Sequence, residues 1–292
     1  MSTSPTSPTS TTSPSLPVSL SFVARDGEKI AALDWPLAPQ ARVRGVVLLV
    51  HGLGEHMGRY AHVARQLNDW GFAVRAYDQY GHGASGGPRG GLTADERLLD
   101  DLADMVDHTR ARMSPNTPLL VLGHSMGGLV AARFVALGLR PVQALVLSSP
   151  ALDLGLSAVQ KLLMATLPKL APNLRVGNGL DARMISHDPA VVSAYQSDRL
   201  VHDRISARLA RFMAQAAPAT VAMASGWTVP TLLLYAGADK LVNPAGSRAF
   251  AAAAPAQVVS SQCFEALYHE IFNEQQPAPV FAALKDWLDR RF

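Results

Sequence analysis

The segment from residue 119 to residue 128, LLVLGHSMGG, constrains the fold of this chain more than any other. Its first four residues are apolar and predict a buried strand, and the small residues from Leu129 to Leu137 predict a helix. Between them, Gly123-x-Ser125-x-Gly127 has the spacing of a sharp strand-to-helix turn, where a side chain at either glycine would collide with neighbouring backbone. A glycine-rich turn with a capping serine is the alternative, but the flanking strand and helix favour a nucleophilic serine.

Strands and helices alternate on both sides of this turn. The sequence around Asp26-Gly27 predicts a β-hairpin, and the unbroken apolar run from Gly45 to Val50 is typical of a central parallel strand covered on both faces. We therefore predict an α/β fold with a mostly parallel central sheet, right-handed crossovers and an N-terminal hairpin. The other predicted strands cover residues 72–77, 144–147, 231–235 and 257–264, and the other predicted helices cover residues 58–70, 95–113, 244–253 and 278–291.

An insertion from about residue 153 to residue 226 interrupts this alternation. A structureless loop of that length is improbable in a compact domain, so we expect a separate helical layer, or cap, above the carboxyl edge of the sheet, where ligands bind in open α/β folds. Apolar residues at helical spacing predict one apolar face, which either lines an acyl tunnel or packs on the body. The residues assigned to that face are Leu156, Leu162, Leu163 and Leu167.

Composition predicts a single large domain after a polar tail. Of the 292 residues, 48% are hydrophobic and 17% charged, which is enough apolar material for a sizeable core. Residues 1–17 are almost entirely Ser, Thr and Pro, so we expect a disordered tail followed by one domain over residues 18–292. The tail does not resemble a secretory signal, and no apolar run of about 18 residues predicts a membrane span. We expect a cytoplasmic protein, with transient contact between the cap and a membrane surface as a secondary expectation.

Several classes of function are disfavoured. The net charge is only +3 and basic residues do not cluster with aromatic ones, so we expect no nucleic-acid partner. The lone Cys263 excludes an internal disulfide and a cysteine-rich zinc site. The pair His269-Glu270 does not complete a zinc motif, because Asn273 stands where the second histidine belongs. We predict no metal and no cofactor.

Ser125 needs a base, and the base needs an acid that fixes its tautomer. Among nine histidines, His269 follows a predicted strand and should lie at the carboxyl edge of the sheet. Asp239 also follows an apolar strand and a tight turn, and the chain order Ser, Asp, His is the one expected for a serine on such a turn. Asp153, which follows another strand, is the alternative acid.

Two backbone N–H groups are candidates for an oxyanion hole. The turn leaves the N–H of Met126 at a helix start, and the N–H of Leu53 lies in the loop after an early strand. The same loop offers another interpretation. The pattern Gly52-x-Gly54-x-x-x-Gly58, with an aspartate closing the next strand, is similar to a dinucleotide fingerprint. It departs from that fingerprint by one residue and leaves the serine, aspartate and histidine unexplained.

Four motifs together resemble the monoacylglycerol lipase and lysophospholipase branch of the α/β-hydrolase superfamily, over about residues 18–292. They are HGLGEHMGRY at 51–60, GHGxS at 81–85, GHSMGG at 123–128 and YHE at 268–270. The resemblance implies a serine hydrolase with a helical cap that acts on monoacyl lipids and related esters through an acyl-enzyme. The alternatives are a general carboxylesterase, thioesterase or peptidase on the same scaffold, and more remotely a binding protein without catalysis.

The resemblance also implies roles for individual residues. Ser125 would be the nucleophile, Asp239 the acid and His269 the base, with Leu53 and Met126 as oxyanion donors. In the family the glutamate and arginine of the first motif help to hold the glycerol head, which corresponds here to Glu55 and Arg59. The sequence departs from such lipases at Phe272, where they can carry an additional histidine. We expect His82 to lie in a tight turn packed beside the site.

Overall fold

The computed structural model describes residues 16–155 and 170–292 of the chain. Its strands are β1 Val18–Val23, β2 Lys29–Trp35, β3 Gly45–Val50, β4 Phe72–Tyr77, β5 Leu119–His124, β6 Ala144–Ser148, β7 Arg175–Gly177, β8 Arg204–Ser206, β9 Thr231–Ala236 and β10 Val259–Phe264. Its helices are α1 Ala61–Asp69, α2 Arg97–Arg110, α3 Ser125–Ala136, α4 Pro189–Ser197, α5 Ala207–Ala222, α6 Pro244–Ala253 and α7 Ala278–Asp289.

Eight of these strands form one mostly parallel sheet, which confirms the predicted fold class. Their order is β1-β2-β4-β3-β5-β6-β9-β10. The strands β1 and β2 form the predicted hairpin, β2 pairs with β4 in antiparallel orientation, and every pair from β4 to β10 is parallel. The carboxyl ends of β3, β5, β9 and β10 therefore meet at one edge, where the loops that follow them can combine into a site.

Both faces of the sheet are covered, which explains the unbroken apolar runs of its central strands. On β3, Leu48 and Val50 belong to one core cluster, whereas Val47 and Leu49 belong to the other. The first cluster includes side chains of α2, α3, α5 and α6, and the second includes side chains of α1 and α7. Successive side chains of a strand point to opposite faces, so apolar residues are required at every position.

The insertion differs from the purely helical layer that we expected. The strands β7 and β8 pair in antiparallel orientation, with the β-branched side chains of Val176 and Ile205 opposite each other. Helix α5 contacts α3, and its Leu209 and Phe212 enter the core of the body. A three-residue strand carries too little periodicity to be distinguished from a loop. The apolar face of α5 packs against the body.

The predicted tail, the predicted cap face and the prediction of no membrane span remain to be compared with the structure. Residues 1–15 of the expected tail, together with Leu156, Leu162, Leu163 and Leu167 of the expected cap face, lie outside the described residues. Within the described ranges, none of the helices combines the length and the apolar character needed to cross a bilayer.

Candidate active site

Ser125 lies at the sharp turn between β5 and α3. It is the first residue of the helix and has a φ of +54°, the left-handed region that non-glycine residues rarely adopt. A Cβ on Gly123 would lie 2.5 Å from the carbonyl oxygen of Gly127, and a Cβ on Gly127 would overlap the carbonyl oxygens of Val50 and His51. Both glycines are therefore required by close backbone contact. The helix begins four residues before the predicted Leu129, because these glycines form its first turn.

His269 and Asp239 come from neighbouring loops at the carboxyl edge. They follow β10 and β9, which are paired in parallel register. Nδ1 of His269 lies 2.6 Å from Oδ2 of Asp239. The other carboxylate oxygen accepts the backbone N–H groups of Leu241 at 2.8 Å and Val242 at 3.0 Å. Three contacts thus fix the orientation of this carboxylate towards the imidazole.

Asp153, the alternative acid, is engaged elsewhere. One of its oxygens accepts the side-chain N–H of Asn243 at 2.7 Å, and the other accepts the N–H of Gly155 at 2.9 Å. The structure therefore brings Asp239, and not Asp153, against His269.

The two paired groups have opposite pKa shifts. Burial alone would lower the pKa of the His269 imidazole, but the charge and hydrogen bond of Asp239 outweigh it and raise that pKa above its ordinary value of 6.5. Burial alone would raise the pKa of Asp239, but its interaction with His269 and the two backbone N–H donors hold that pKa below 3.8. The pair therefore favours an imidazolium next to a carboxylate.

Ser125, His269 and Leu53 line one cavity of about 460 Å³. Apolar side chains form much of its wall, among them Leu154 and Met213. In the described part of the chain, the Ser125 hydroxyl makes no hydrogen bond, so the serine–histidine contact is not closed in this state. Catalytic contacts often shorten only in the substrate complex.

A larger cavity of about 760 Å³ lies between α5 and α6. It shares Leu154 with the first cavity but contains neither Ser125 nor His269. We regard the smaller cavity as the site because it holds Ser125 and His269.

The predicted oxyanion donors belong to two segments next to Ser125, the first turn of α3 and the loop after β3. The N–H of Met126 is in the first turn of α3, where N–H groups have no partner within the helix. A Cβ on Gly52 would lie 3.1 Å from Cβ of Ser125, so the loop that carries Leu53 passes directly against the serine. Two backbone donors at this position could stabilise negative charge on a carbonyl oxygen under attack.

Glu55 and Arg59 lie beneath this loop rather than among the side chains that line the cavity. Glu55 accepts the N–H of Gly52 and the hydroxyl of Tyr60, each at 2.6 Å. Arg59 donates to Glu55 at 2.6 Å and binds both oxygens of Glu270 at 2.6 and 2.7 Å. The Arg59 side chain is only 11% exposed. The two residues predicted to hold glycerol thus bind each other and the loops beside the site, and their contact with a substrate stays a prediction.

Sequence reasoning did not identify Glu270 as part of this network. Glu270 directly follows His269, so its ion pair with Arg59 connects the histidine loop to the predicted oxyanion loop. Burial alone would raise the pKa of Glu55, but Arg59 and nearby histidines lower it to about 2. We name Glu55, Arg59 and Glu270 the carboxylate–arginine cluster.

The aspartate of the alternative dinucleotide interpretation is also engaged. Asp78 is buried, and its two oxygens accept the N–H groups of Met57 at 2.8 Å and Ala84 at 2.7 Å. It therefore holds the 81–85 turn against the first loop, and its burial keeps it from a ribose at the surface. The ring of His82 in that turn packs beside His51, with 5.4 Å between ring centroids.

The last two predictions concern the residue at position 272 and the presence of a metal site. Phe272, which stands at the position of an additional family histidine, is buried in the core beside α7. No group of three or more potential metal ligands occurs within residues 16–155 and 170–292.

Comparisons with known proteins agree with this architecture. A family model described as serine aminopeptidase, S33, matches residues 41–276. The monoacylglycerol lipase of Mycolicibacterium smegmatis is 36% identical over 271 residues, which cover 92% of this chain and 95% of that protein. Phospholipase YtpA of Bacillus subtilis is 30% identical over 249 residues, covering 84% of this chain and 95% of that protein. The crystal structure of the Paleococcus ferrophilus monoacylglycerol lipase matches with a TM-score of 0.79 at 32% identity, covering 89% of this chain and 98% of that one. The chain therefore belongs to the serine aminopeptidase S33 family of α/β hydrolases.

Proposed function

We propose that this hydrolase cleaves monoacyl lipid esters, monoacylglycerols or lysophospholipids, through an acyl-enzyme. The observation that carries the proposal is the apolar-walled cavity lined by both Ser125 and His269, whose imidazole is paired with Asp239. The relatives named as a monoacylglycerol lipase and a phospholipase support esters of this class.

Each residue then has a defined step. His269 accepts the Ser125 proton as Oγ bonds to the ester carbonyl carbon, and Asp239 holds the imidazole and stabilises its charged form. The N–H groups of Leu53 and Met126 bind the oxygen that becomes negative. The tetrahedral intermediate collapses, the C–O bond to the alcohol breaks, and His269 gives its proton to the leaving alcohol. Water, deprotonated by His269, then attacks the acyl carbonyl carbon. The bond to Oγ breaks, His269 returns its proton to Oγ, and the fatty acid and free Ser125 are released.

The cavity walls favour an acyl chain over a charged peptide. The described lining of the Ser125 cavity includes no acidic side chain. An aminopeptidase needs such a side chain in order to pair with the ammonium group of its substrate. The larger cavity, which shares Leu154 with the Ser125 cavity, runs along α5 and α6 past Ala214, Ala217 and Ala249. A long acyl chain would bury apolar surface there, at about 0.8 kcal/mol per methylene.

The insertion between β6 and β9 supports the proposal of a cap over this cavity. Val176 and Leu180 line the cavity and are also exposed, and Leu170 and Leu174 are exposed nearby in the chain. We propose that this part of the insertion touches a lipid surface during substrate uptake, because exposed apolar groups at a cavity entrance favour contact with a bilayer interface.

Substrate profiling of the wild-type protein tests the function. We expect hydrolysis of 1-lauroylglycerol and lauroyl-lysophosphatidylcholine with higher kcat/KM than p-nitrophenyl acetate, because only the lauroyl chain fills the apolar cavity. An aminoacyl p-nitroanilide should not be cleaved. Cleavage of the anilide together with inactivity on all lauroyl esters would reject the ester-hydrolase proposal in favour of a peptidase.

The raised pKa of His269 predicts opposite pH dependences for activity and stability. An imidazole accepts a proton only when neutral, so kcat/KM should fall as pH falls, with its midpoint above pH 6.5. The stability contributed by the His269–Asp239 pair should be present below pH 6.5 and lost as pH rises through the raised pKa. A pH profile of kcat/KM and chemical denaturation at each pH measure both. An activity midpoint below pH 6.5 would contradict this assignment.

A further inference from the structure

Asn178 is a polar residue of the cavity for which the proposed mechanism has no role. Among the described lining residues, the side chains with hydrogen-bonding groups are those of Ser125, Asn178 and His269. Ser125 and His269 have catalytic roles in the proposal. Asn178 follows β7 in the insertion, so it approaches the cavity from the side opposite the sheet.

The carboxamide of Asn178 is held in a defined orientation. Its backbone N–H donates to the carbonyl oxygen of Asp203 at 2.6 Å. Its side-chain Oδ1 accepts the N–H of Leu180 at 3.0 Å. Because Oδ1 is occupied by a backbone donor, the Nδ2 amino group is the end left to donate to a ligand.

This amino group lies next to the predicted oxyanion loop. A Cβ on Gly54 would be 3.3 Å from Nδ2 of Asn178 and 3.5 Å from the hydroxyl of Tyr195. The adjacent His202 donates its backbone N–H to the carbonyl oxygen of Gly54 at 2.8 Å, so the segment that holds Asn178 is also fixed to the loop. The Nδ2 donor therefore lies beside the loop that carries Leu53, whose N–H is a proposed oxyanion donor.

The cavity surrounds the two halves of a bound ester with different groups. The acyl chain is accommodated by the apolar wall at Leu154, Met213 and Val242. The polar corner at Gly54 is left for the alcohol half. Asn178 is partly exposed, so its amide loses water when an ester binds beside it. A purely alkyl alcohol cannot replace that hydrogen bond, whereas an alcohol that carries a further oxygen can.

We propose that Asn178 is a specificity-determining residue whose Nδ2 donates a hydrogen bond to an oxygen on the alcohol half of the substrate. The inference rests on the proposed ester hydrolysis and specifies its substrate class as esters of oxygen-bearing alcohols. The oxygen belongs either to a glycerol hydroxyl or to a phosphate group.

Three esters with one acyl group test this inference: 1-lauroylglycerol, lauroyl-lysophosphatidylcholine and methyl laurate. All three give the same lauroyl-enzyme, so differences in kcat/KM report only the step in which the alcohol is bound and released. In Asn178→Ala, the ratio of kcat/KM for an oxygen-bearing ester (1-lauroylglycerol, lauroyl-lysophosphatidylcholine or both) to that for methyl laurate should fall by about fivefold to tenfold, the expected effect of one net hydrogen bond. Asn178→Asp, which keeps an acceptor for Leu180 but loses the donor, should lower the ratio similarly.

Val176→Ala is the matched control, because Val176 lines the same cavity from β7, two residues before Asn178, and has no hydrogen-bonding group in its side chain. It should change kcat/KM for all three esters in equal proportion. A selective loss with 1-lauroylglycerol alone assigns the contact to a glycerol hydroxyl, one with the lysophospholipid alone assigns it to phosphate, and loss with both assigns it to their shared glycerol.

If neither 1-lauroylglycerol nor lauroyl-lysophosphatidylcholine loses kcat/KM relative to methyl laurate in the folded Asn178 variants, with folding checked by thermal melting, the inference is overturned while ester hydrolysis stays intact. An equal loss with all three esters would also overturn it, because it would indicate a structural role. If the wild type hydrolyses none of the esters, the proposed function fails and this inference fails with it.

Discussion

Asp239→Asn should lower kcat for a lauroyl ester by about two to four orders of magnitude while the protein stays folded. An asparagine amide directed at Nδ1 of His269 would favour the tautomer that carries its proton on Nε2, which cannot accept the Ser125 proton. The remaining amide oxygen can still accept the N–H groups of Leu241 and Val242, which now lie 2.8 and 3.0 Å from Oδ1, so the loop should persist. Steady-state kinetics and circular dichroism measure the two properties.

Asp153→Asn is the matched control for this variant. Asp153 also follows a strand of the sheet, but it contacts Asn243 and Gly155 rather than His269. Its replacement should leave kcat close to the wild-type value. A large loss in Asp153→Asn with little change in Asp239→Asn would show that the acid was assigned to the wrong strand.

Arg59→Leu should destabilise the protein by about 3–5 kcal/mol, because it leaves two buried carboxylates without their counter-charge. Glu55 and Glu270 both bind Arg59, and they hold the first loop and the histidine loop respectively. We therefore also expect lower kcat/KM in the fraction that remains folded. Urea denaturation measures the unfolding free energy, and Arg59→Lys should recover only part of it because an ammonium cannot bind a carboxylate through two parallel N–H groups.

Arg140→Leu provides the comparison at the surface. Arg140 binds Asp107 at 2.9 Å, but the two side chains are 38% and 51% exposed. Water already screens this pair, so its loss should leave the denaturation midpoint almost unchanged. Equal effects of the two leucine substitutions would mean that the carboxylate–arginine cluster contributes no more than an exposed ion pair.

The fold could be predicted from the sequence because the features that impose it act over only a few residues. The continuous apolar strands, the glycines at 123 and 127 and the hairpin at Asp26-Gly27 each impose structure within a few residues. Asp239 and His269 were identified because both follow strands, and parallel strands bring their carboxyl ends to one edge. Their 2.6 Å contact joins residues 30 positions apart in the chain.

Interactions without local periodicity were not predictable. The partner of Arg59 at Glu270 is 211 residues away, and nothing in the sequence pairs them. Asn178 lies in the insertion beside a three-residue strand, and its relation to Gly54 depends on how the insertion folds back over the body. Glu55 was assigned to substrate from its motif, whereas its short contacts with Gly52 and Tyr60 could be seen only in three dimensions.

Covalent labelling of the folded protein with a fluorophosphonate tests the central claim most directly. The probe phosphonylates a serine only where a base removes its proton and donors stabilise the resulting oxyanion-like group. We predict one adduct per chain by intact-protein mass spectrometry, located on the peptide that contains Ser125, and no adduct in Ser125→Ala. Folded wild-type protein that stays unlabelled, or a label that persists at another residue in Ser125→Ala, would contradict the account.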